Sequence, residues 1–239
     1  MTGRYRPPKQ RARFTSGYHE DSQTIQTNLK VRGIDESCLT CQLQAHRLSC
    51  RTRSCKSPMK MTKYRSHQPG DASEMEALFV SVFTQSEGEA EGTMVGKLVK
   101  EMLAETEPCD VQGFVAVDGE RIVGAILFTR LTFEQDVEAF LLSPVAIASE
   151  QQGRGVGQGL INFGLQELKQ RGVRIVTTYG DPAYYGKVGF QPLSQDDIPP
   201  PYELSQPVGW IGQSLTDHPI EPIPGRCSCV KALSDPVYW

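Results

Sequence analysis

The segment Gln152-Gly153-Arg154-Gly155-Val156-Gly157 follows the apolar run Phe140 to Ala148 and opens a stretch with helical periodicity, so a strand, a tight turn and a helix start are predicted in succession. Three glycines within five residues let the backbone curl with no β-carbons in the way, and several amide N–H groups can converge on one small space. A helix start adds the positive end of its dipole and N–H groups without intrahelical partners, which suits a pyrophosphate. The same residues equally serve a tight strand-to-helix turn that holds no ligand. Two nucleotide-binding patterns fail. A P-loop needs Lys and then Ser or Thr after its last glycine, where this chain has Gln158 and Gly159. A dinucleotide fold wants an acidic residue about twenty positions on, where Thr177, Thr178 and Tyr179 stand and Asp181 comes late.

The flanks sharpen the pattern. The preceding strand reads Leu142-Ser143-Pro144-Val145-Ala146-Ile147, and its proline lacks the N–H that a central ladder needs, so a bulge or an edge strand is expected there. From Gly155 to Gln170 the residues Leu160, Ile161, Gly164, Leu165 and Leu168 form one apolar face, with Gln158, Asn162, Gln166 and Lys169 opposite. Arg171-Gly172 ends that helix, Val173 to Tyr179 reads as a buried strand, and the whole is a βαβ unit. Then comes Tyr185-Gly186-Lys187-Val188-Gly189-Phe190.

With these three elements in order, the stretch from Leu142 to Phe190 resembles the acetyl-CoA site of the GNAT superfamily of N-acetyltransferases, and within it the YhbS-like group. The Q-x-x-G-x-G signature is Gln152 to Gly157, and the Y-x-K-x-G-F segment begins at Tyr185. The resemblance implies an α/β fold, a mixed sheet splayed at its centre and flanked by helices, over residues 61–192. It implies acetyl-CoA as co-substrate, no metal, and direct attack by a small-molecule or peptide amine. Val145 and Ile147 would lie along the pantetheine arm, with Gln152, Gly153, Arg154, Gly155, Val156 and Gly157 around the pyrophosphate. The Val145 N–H would bond the thioester oxygen, and Tyr185 would protonate the departing thiolate. Tyr184 faces another way and Lys187 reads as a solvated charge. The glutamate some members carry on the bulged strand is replaced by Leu141-Leu142. Glu138, Glu134, Asp136 and Asp181 are left as bases acting through water. An acyl-CoA-binding module without turnover, acting as sensor or interaction domain, is the alternative.

Elsewhere the chain is uneven. Its 239 residues, 38% apolar and 22% charged, suffice for one substantial core. Residues 1–60 hold twelve Lys and Arg against four acidic residues, leaving −11 for the remainder of the −3 total. Having few large apolar side chains, they are expected to be disordered, or even the product of a start assigned too early at a point before Met61. Cys38, Cys41, Cys50 and Cys55 have the spacing of a loose zinc or disulfide cluster, but Arg47, Arg51 and Arg53 crowd it and neither is expected. The basic run Arg4 to Arg13 reads as a solvated tail, so nucleic acid is a disfavoured partner. No membrane span or signal core is apparent, which predicts a cytoplasmic protein, monomeric or homodimeric.

After a strand around Tyr64, Asp71 and Glu74 have capping-box spacing ahead of a helix through Met75, Leu78, Phe79, Val82 and Phe83. A second helix is predicted over Thr93 to Leu103, then strands Gly113 to Val117 and Arg121 to Phe128 around an Asp118-Gly119 turn, and a strand from Val137 to Ile147. Residues 193–239 are proline-rich and contain both tryptophans; they are expected to pack on the domain, with an edge strand near Cys227 to Leu233.

Overall fold

In the computed structural model the described residues are 62–239; the clustered cysteines Cys38, Cys41, Cys50 and Cys55 and the basic run lie outside them. Strand β1 (Lys63–Ser66) is followed by helices α1 (Ala72–Glu87) and α2 (Glu89–Glu105), then strands β2 (Val111–Asp118), β3 (Arg121–Thr132) and β4 (Ala139–Ile147). Helix α3 (Val156–Gln170) leads to β5 (Ile175–Tyr179) and the short α4 (Pro182–Tyr185). The tail supplies β6 (Gln191–Pro192), β7 (Trp210–Ser214) and β8 (Ser228–Cys229). The sheet runs β1-β2-β3-β4-β5-β7-β6, with β8 beside the end of β3. Every pairing is antiparallel except β4 with β5, the pair joined through α3.

Side-chain alternation decides which helix covers which face. Gly164 in the middle of α3 lies against Phe114, Ile126 and Phe128, so these strand residues face α3. Helix α1 also packs on β3 and β4 and takes the other face. A β-carbon added at Gly164 would stand 2.7 Å from Phe128, 3.0 Å from Phe114 and 3.1 Å from Ile126, all fully buried. Gly164→Ala is therefore expected to cost about 1–3 kcal/mol by overpacking and to lower the melting temperature by several degrees. An unchanged melting temperature would mean that α3 can shift off the sheet.

Three local expectations change. Asp71 does not pair with Glu74 as a capping box: its carboxylate takes two bonds from Arg65, at 2.5 and 3.0 Å, and one from the Gln68 N–H at 2.7 Å. Glu74 reaches instead to the Ile122 N–H, at 2.7 Å, tying α1 to the β2–β3 hairpin. Asp118 is still paired, with Arg121, so the turn residues are Gly119 and Glu120, and Gly119 supplies the positive φ of 69°. Helix α2 begins at Glu89, four residues earlier than its apolar pattern, because Gly88 at φ 105° lets the chain reverse at once.

The tail is more sheet-like than its prolines suggest. β7 pairs with β5 over five residues, from Ile175 opposite Ser214 to Tyr179 opposite Trp210. Trp210 is buried and donates to the Ile198 carbonyl at 2.8 Å, while Trp239 is buried and donates to Leu233 at 3.0 Å. The two indoles meet edge to face at 6.3 Å. The expected strand near Cys227 to Leu233 shortens to Ser228–Cys229 against Thr132 and Leu131.

Candidate active site

Between β3 and β4 the register shifts: Ile126 stands opposite Val145, but Phe128 stands opposite Leu142. Two residues of β4, Ser143 and Pro144, therefore face the single Leu127, which is a bulge at the expected proline. β4 is not an edge strand, since it lies between β3 and β5. On the β5 side, pairing runs from Ala139–Ile175 to Leu142–Thr178 and stops at the bulge. Past that point the two parallel strands are unpaired and a gap opens.

The alternation of an antiparallel ladder shows what faces the gap. Ala148 donates its N–H to the Val123 carbonyl at 2.9 Å, so Ala148/Val123 is a hydrogen-bonded pair and Ala146/Ala125, two residues away, is another. Val145 and Ile147 fall between them, and their backbone groups turn away from β3. The Val145 N–H thus opens onto the gap. The Ile147 carbonyl is met there by the Gln152 side-chain amide, at 2.9 Å.

The glycine-rich turn leads from that point into α3. Gly153 and Gly155 have φ of 70° and 80°, and a β-carbon at either would meet nothing within 4 Å, so both border open space. Gly159 N–H makes the first intrahelical bond, to Gly155, which leaves the amides of Val156, Gly157 and Gln158 ahead of it. Arg154 is exposed on the same turn. Gly157 departs from the expectation of an open cradle. A β-carbon there would collide with the Tyr184 hydroxyl, and one at Gly159 with that of Tyr64, so these two glycines admit tyrosines rather than a ligand.

Tyr185 is buried at 5% exposure, its ring against Gly180 and edge to face with Phe190 at 5.7 Å. Burial pushes the phenol far above its ordinary range, Tyr184 adds to this, and Thr178 opposes it. The group stays protonated at any physiological pH.

Of the carboxylates suggested as bases, Glu138 and Asp181 are otherwise engaged. Glu138 pairs with Arg130 at 2.6 Å at the far end of β4, and Arg130 also holds Asp110 at 2.7 Å. Asp181 caps α4 by accepting from the Ala183 N–H at 2.8 Å. Glu134 lies beside Gly225 of the tail, and Asp136 is exposed on the β3–β4 loop. Two others were missed. Glu87 and Glu91 flank the α1–α2 turn, and burial holds both above the usual carboxylate range, with Glu91 adding repulsion at Glu87. Gln85, half a turn before, accepts from Ser149 just past β4 at 2.5 Å, which ties this helix end to the glycine-rich side of the gap. Nothing in their spacing marks these glutamates, because only the packing of α1 across the sheet brings them there.

The acetyltransferase (GNAT) domain model matches residues 63–193, more than half of the chain. The chain belongs to the GNAT family. It is similar to the uncharacterized N-acetyltransferase YjhQ of Escherichia coli K12, at 36% identity over 115 residues, 46% of this chain and 63% of YjhQ. To YhbS of the same strain it is 31% identical over 88 residues, 36% of this chain and 53% of YhbS. The chain thus spans between about half and under two thirds of these relatives. Among solved structures, the GNAT fold recurs in Escherichia coli YhbS in complex with CoA, at TM-score 0.66 and 23% identity, over 75% of this chain and 96% of that one. It recurs also in a GNAT acetyltransferase from Brucella melitensis in complex with acetyl-CoA, at TM-score 0.58 and 22% identity, over 72% of this chain and 98% of that one. Among the described residues no helix of this GNAT protein is long and apolar enough to cross a membrane, and no three His, Cys, Asp or Glu group around a possible metal.

Proposed function

We propose that this GNAT protein transfers the acetyl group of acetyl-CoA to an amine by direct attack, without a covalent enzyme intermediate. The observation that carries this reading is the gap between β4 and β5, with the Val145 N–H open to it and the α3 N-terminus at its mouth. The pyrophosphate sits on the Gln152 to Gly157 turn, held by the amides of Val156, Gly157 and Gln158, with Arg154 adding charge. The pantetheine arm runs into the gap and bonds the backbone of Val145 and Ile147 as an added strand would. The thioester oxygen then meets the Val145 N–H, which stabilises the oxyanion that develops as the amine attacks. As the C–S bond breaks, Tyr185 donates its proton to the thiolate.

The amine arrives as a cation and must lose a proton before it attacks. The carboxylates of exposed Glu87 and partly buried Glu91, both held above the usual carboxylate range, suit that task through water better than Glu138 or Asp181, which are committed elsewhere. Leu141-Leu142, apolar and buried on the bulged strand, favours a second reading, an acyl-CoA-binding module without turnover. Incubation with acetyl-CoA and a library of small amines and lysine peptides, followed by free thiol release, separates the two. Release above the acceptor-free rate with at least one amine is expected; tight acetyl-CoA binding with no release from any amine would leave the binding module.

A further inference from the structure

Strand β4 lies inside the sheet and is buried along its whole length except at Ser143, in the bulge, which is partly exposed. The register gives the face. Phe128 and Ile126 face α3 and stand opposite Leu142 and Val145, so the two bulged residues between them, Ser143 and Pro144, lie with Leu127 on the face opposite α3. Their neighbours there, Leu127 and Leu141, are apolar and buried. Thr129 and Thr177 share that face, one on each side of Leu141, but both are sealed at 0% exposure. Of these hydroxyls Ser143 is the one that solvent reaches, and among the described residues it has no hydrogen-bond partner. The α3 face is closed at the same level, because α3 packs on Phe128 through Gly164, and α4 sets the Tyr184 hydroxyl against Gly157 and the Tyr185 ring against Gly180. The way to the thioester that remains is on the Ser143 side.

We propose that Ser143 receives the acceptor: its hydroxyl oxygen accepts a hydrogen bond from an N–H of the attacking amine and aims the nitrogen at the thioester carbon. The inference rests on the reading of the β4–β5 gap as the site of acetyl transfer. The Val145 N–H holds the thioester in the plane of the gap, and Ser143 stands to one side of that plane, where a nucleophile adds to a planar carbonyl. Two residues of strand span about 6–7 Å, which accommodates a nitrogen about 3 Å from the hydroxyl oxygen and about 3–3.5 Å from the carbon. A primary amine that gives one N–H to the hydroxyl keeps its lone pair for the carbon. As the C–N bond forms the nitrogen becomes positive, and its bond to Ser143 becomes charge-assisted, so the transition state gains more from it than the bound amine does. The C–S bond then breaks, Tyr185 protonates the thiolate, and the nitrogen sheds its proton to solvent through the same opening. Ser143 forms no covalent bond and takes no proton.

The test compares Ser143→Ala, which removes the hydroxyl, with Ser143→Thr, which keeps it. With acetyl-CoA and a primary amine that supports thiol release, Ser143→Ala is expected to lower kcat/KM for the amine about tenfold or more, the scale of one hydrogen bond to a charged group, at unchanged acetyl-CoA affinity. Ser143→Thr should keep most of the native value. Unchanged kcat/KM in Ser143→Ala would overturn the role of Ser143 alone. So would a matching loss of acetyl-CoA affinity, which would make Ser143 part of the cofactor gap, or an equal loss in Ser143→Thr, which would make room rather than the hydroxyl the requirement. Thiol release from no amine in the native protein would instead remove the transfer reading on which this role rests. Ser143→Cys reads the opening without turnover, using a small thiosulfonate that carries an ammonium group and locating the modified position by peptide mass. Modification there is expected well above the rate at buried Cys227, and a saturating amine should slow it while leaving exposed Cys109 unaffected. A rate no greater than that of Cys227, or one that the amine leaves unchanged, would also overturn the proposal.

Discussion

Gly155→Glu is expected to abolish acetyl-CoA binding while leaving the fold in place. Gly155 is the residue before α3, at φ 80°, and space is open where its β-carbon would lie. Nothing in the protein resists the new side chain, so what it meets is the ligand. A non-glycine residue in the left-handed region costs about 1–2 kcal/mol, and a carboxylate at a helix N-terminus returns part of that through the dipole. The fold should survive with a small fall in melting temperature. The same carboxylate stands where the pyrophosphate would sit and takes up the amides of the first turn, so attraction becomes repulsion at short range. Calorimetry should detect no binding of acetyl-CoA to the variant. Gly155→Ala, carrying the strain without the charge, should retain measurable affinity. Equal affinity in a folded Gly155→Glu would remove the phosphate site from this turn.

Tyr185→Phe should lower turnover about 10²-fold or more, the usual scale for loss of a general acid. The ring keeps its contacts with Gly180, Tyr184 and Phe190, and Thr178 keeps its bond to Leu142, so stability and acetyl-CoA affinity should hardly change. Single-turnover measurements distinguish the chemistry from product release. Unchanged single-turnover rates would take Tyr185 out of the mechanism, and lost acetyl-CoA binding would make it a packing residue of the gap. Burial makes this tyrosine a reluctant acid. It would serve as the acid where the thiolate forms in the same dry place and is no better solvated than the phenolate.

Much of this site follows from local covalent rules. A proline without an N–H at position 144 implies a broken ladder, and the ladder breaks there. Glycines at 153 and 155 imply positive φ, and both adopt it. The spacing Leu160, Ile161, Gly164, Leu165, Leu168 implies one buried helix face, and all five are buried. The Tyr185 to Phe190 segment was legible as a pattern, though not its orientation.

Other features depend on partners distant in the chain. Gly157 and Gly153 look alike in the hexapeptide, yet one receives the Tyr184 hydroxyl and the other borders open space, because α4 folds back over only one of them. Glu138 was a plausible base until Arg130, eight residues earlier and one strand over, claimed it. β7 was hidden among prolines, since a strand of Trp210-Ile211-Gly212 alternates nothing and is recruited by the open edge of β5.

Residue spacing by itself determined the backbone: where it bulges, where it turns, which helix start is free of β-carbons, and hence the family. Those are properties of φ, ψ and a missing N–H, carried by single residues. Tertiary structure decided which side chains of that backbone meet. Thr178 and Leu142 meet because a parallel strand pair ends at the bulge, and a contact across 36 residues and two strands leaves no periodicity in the chain.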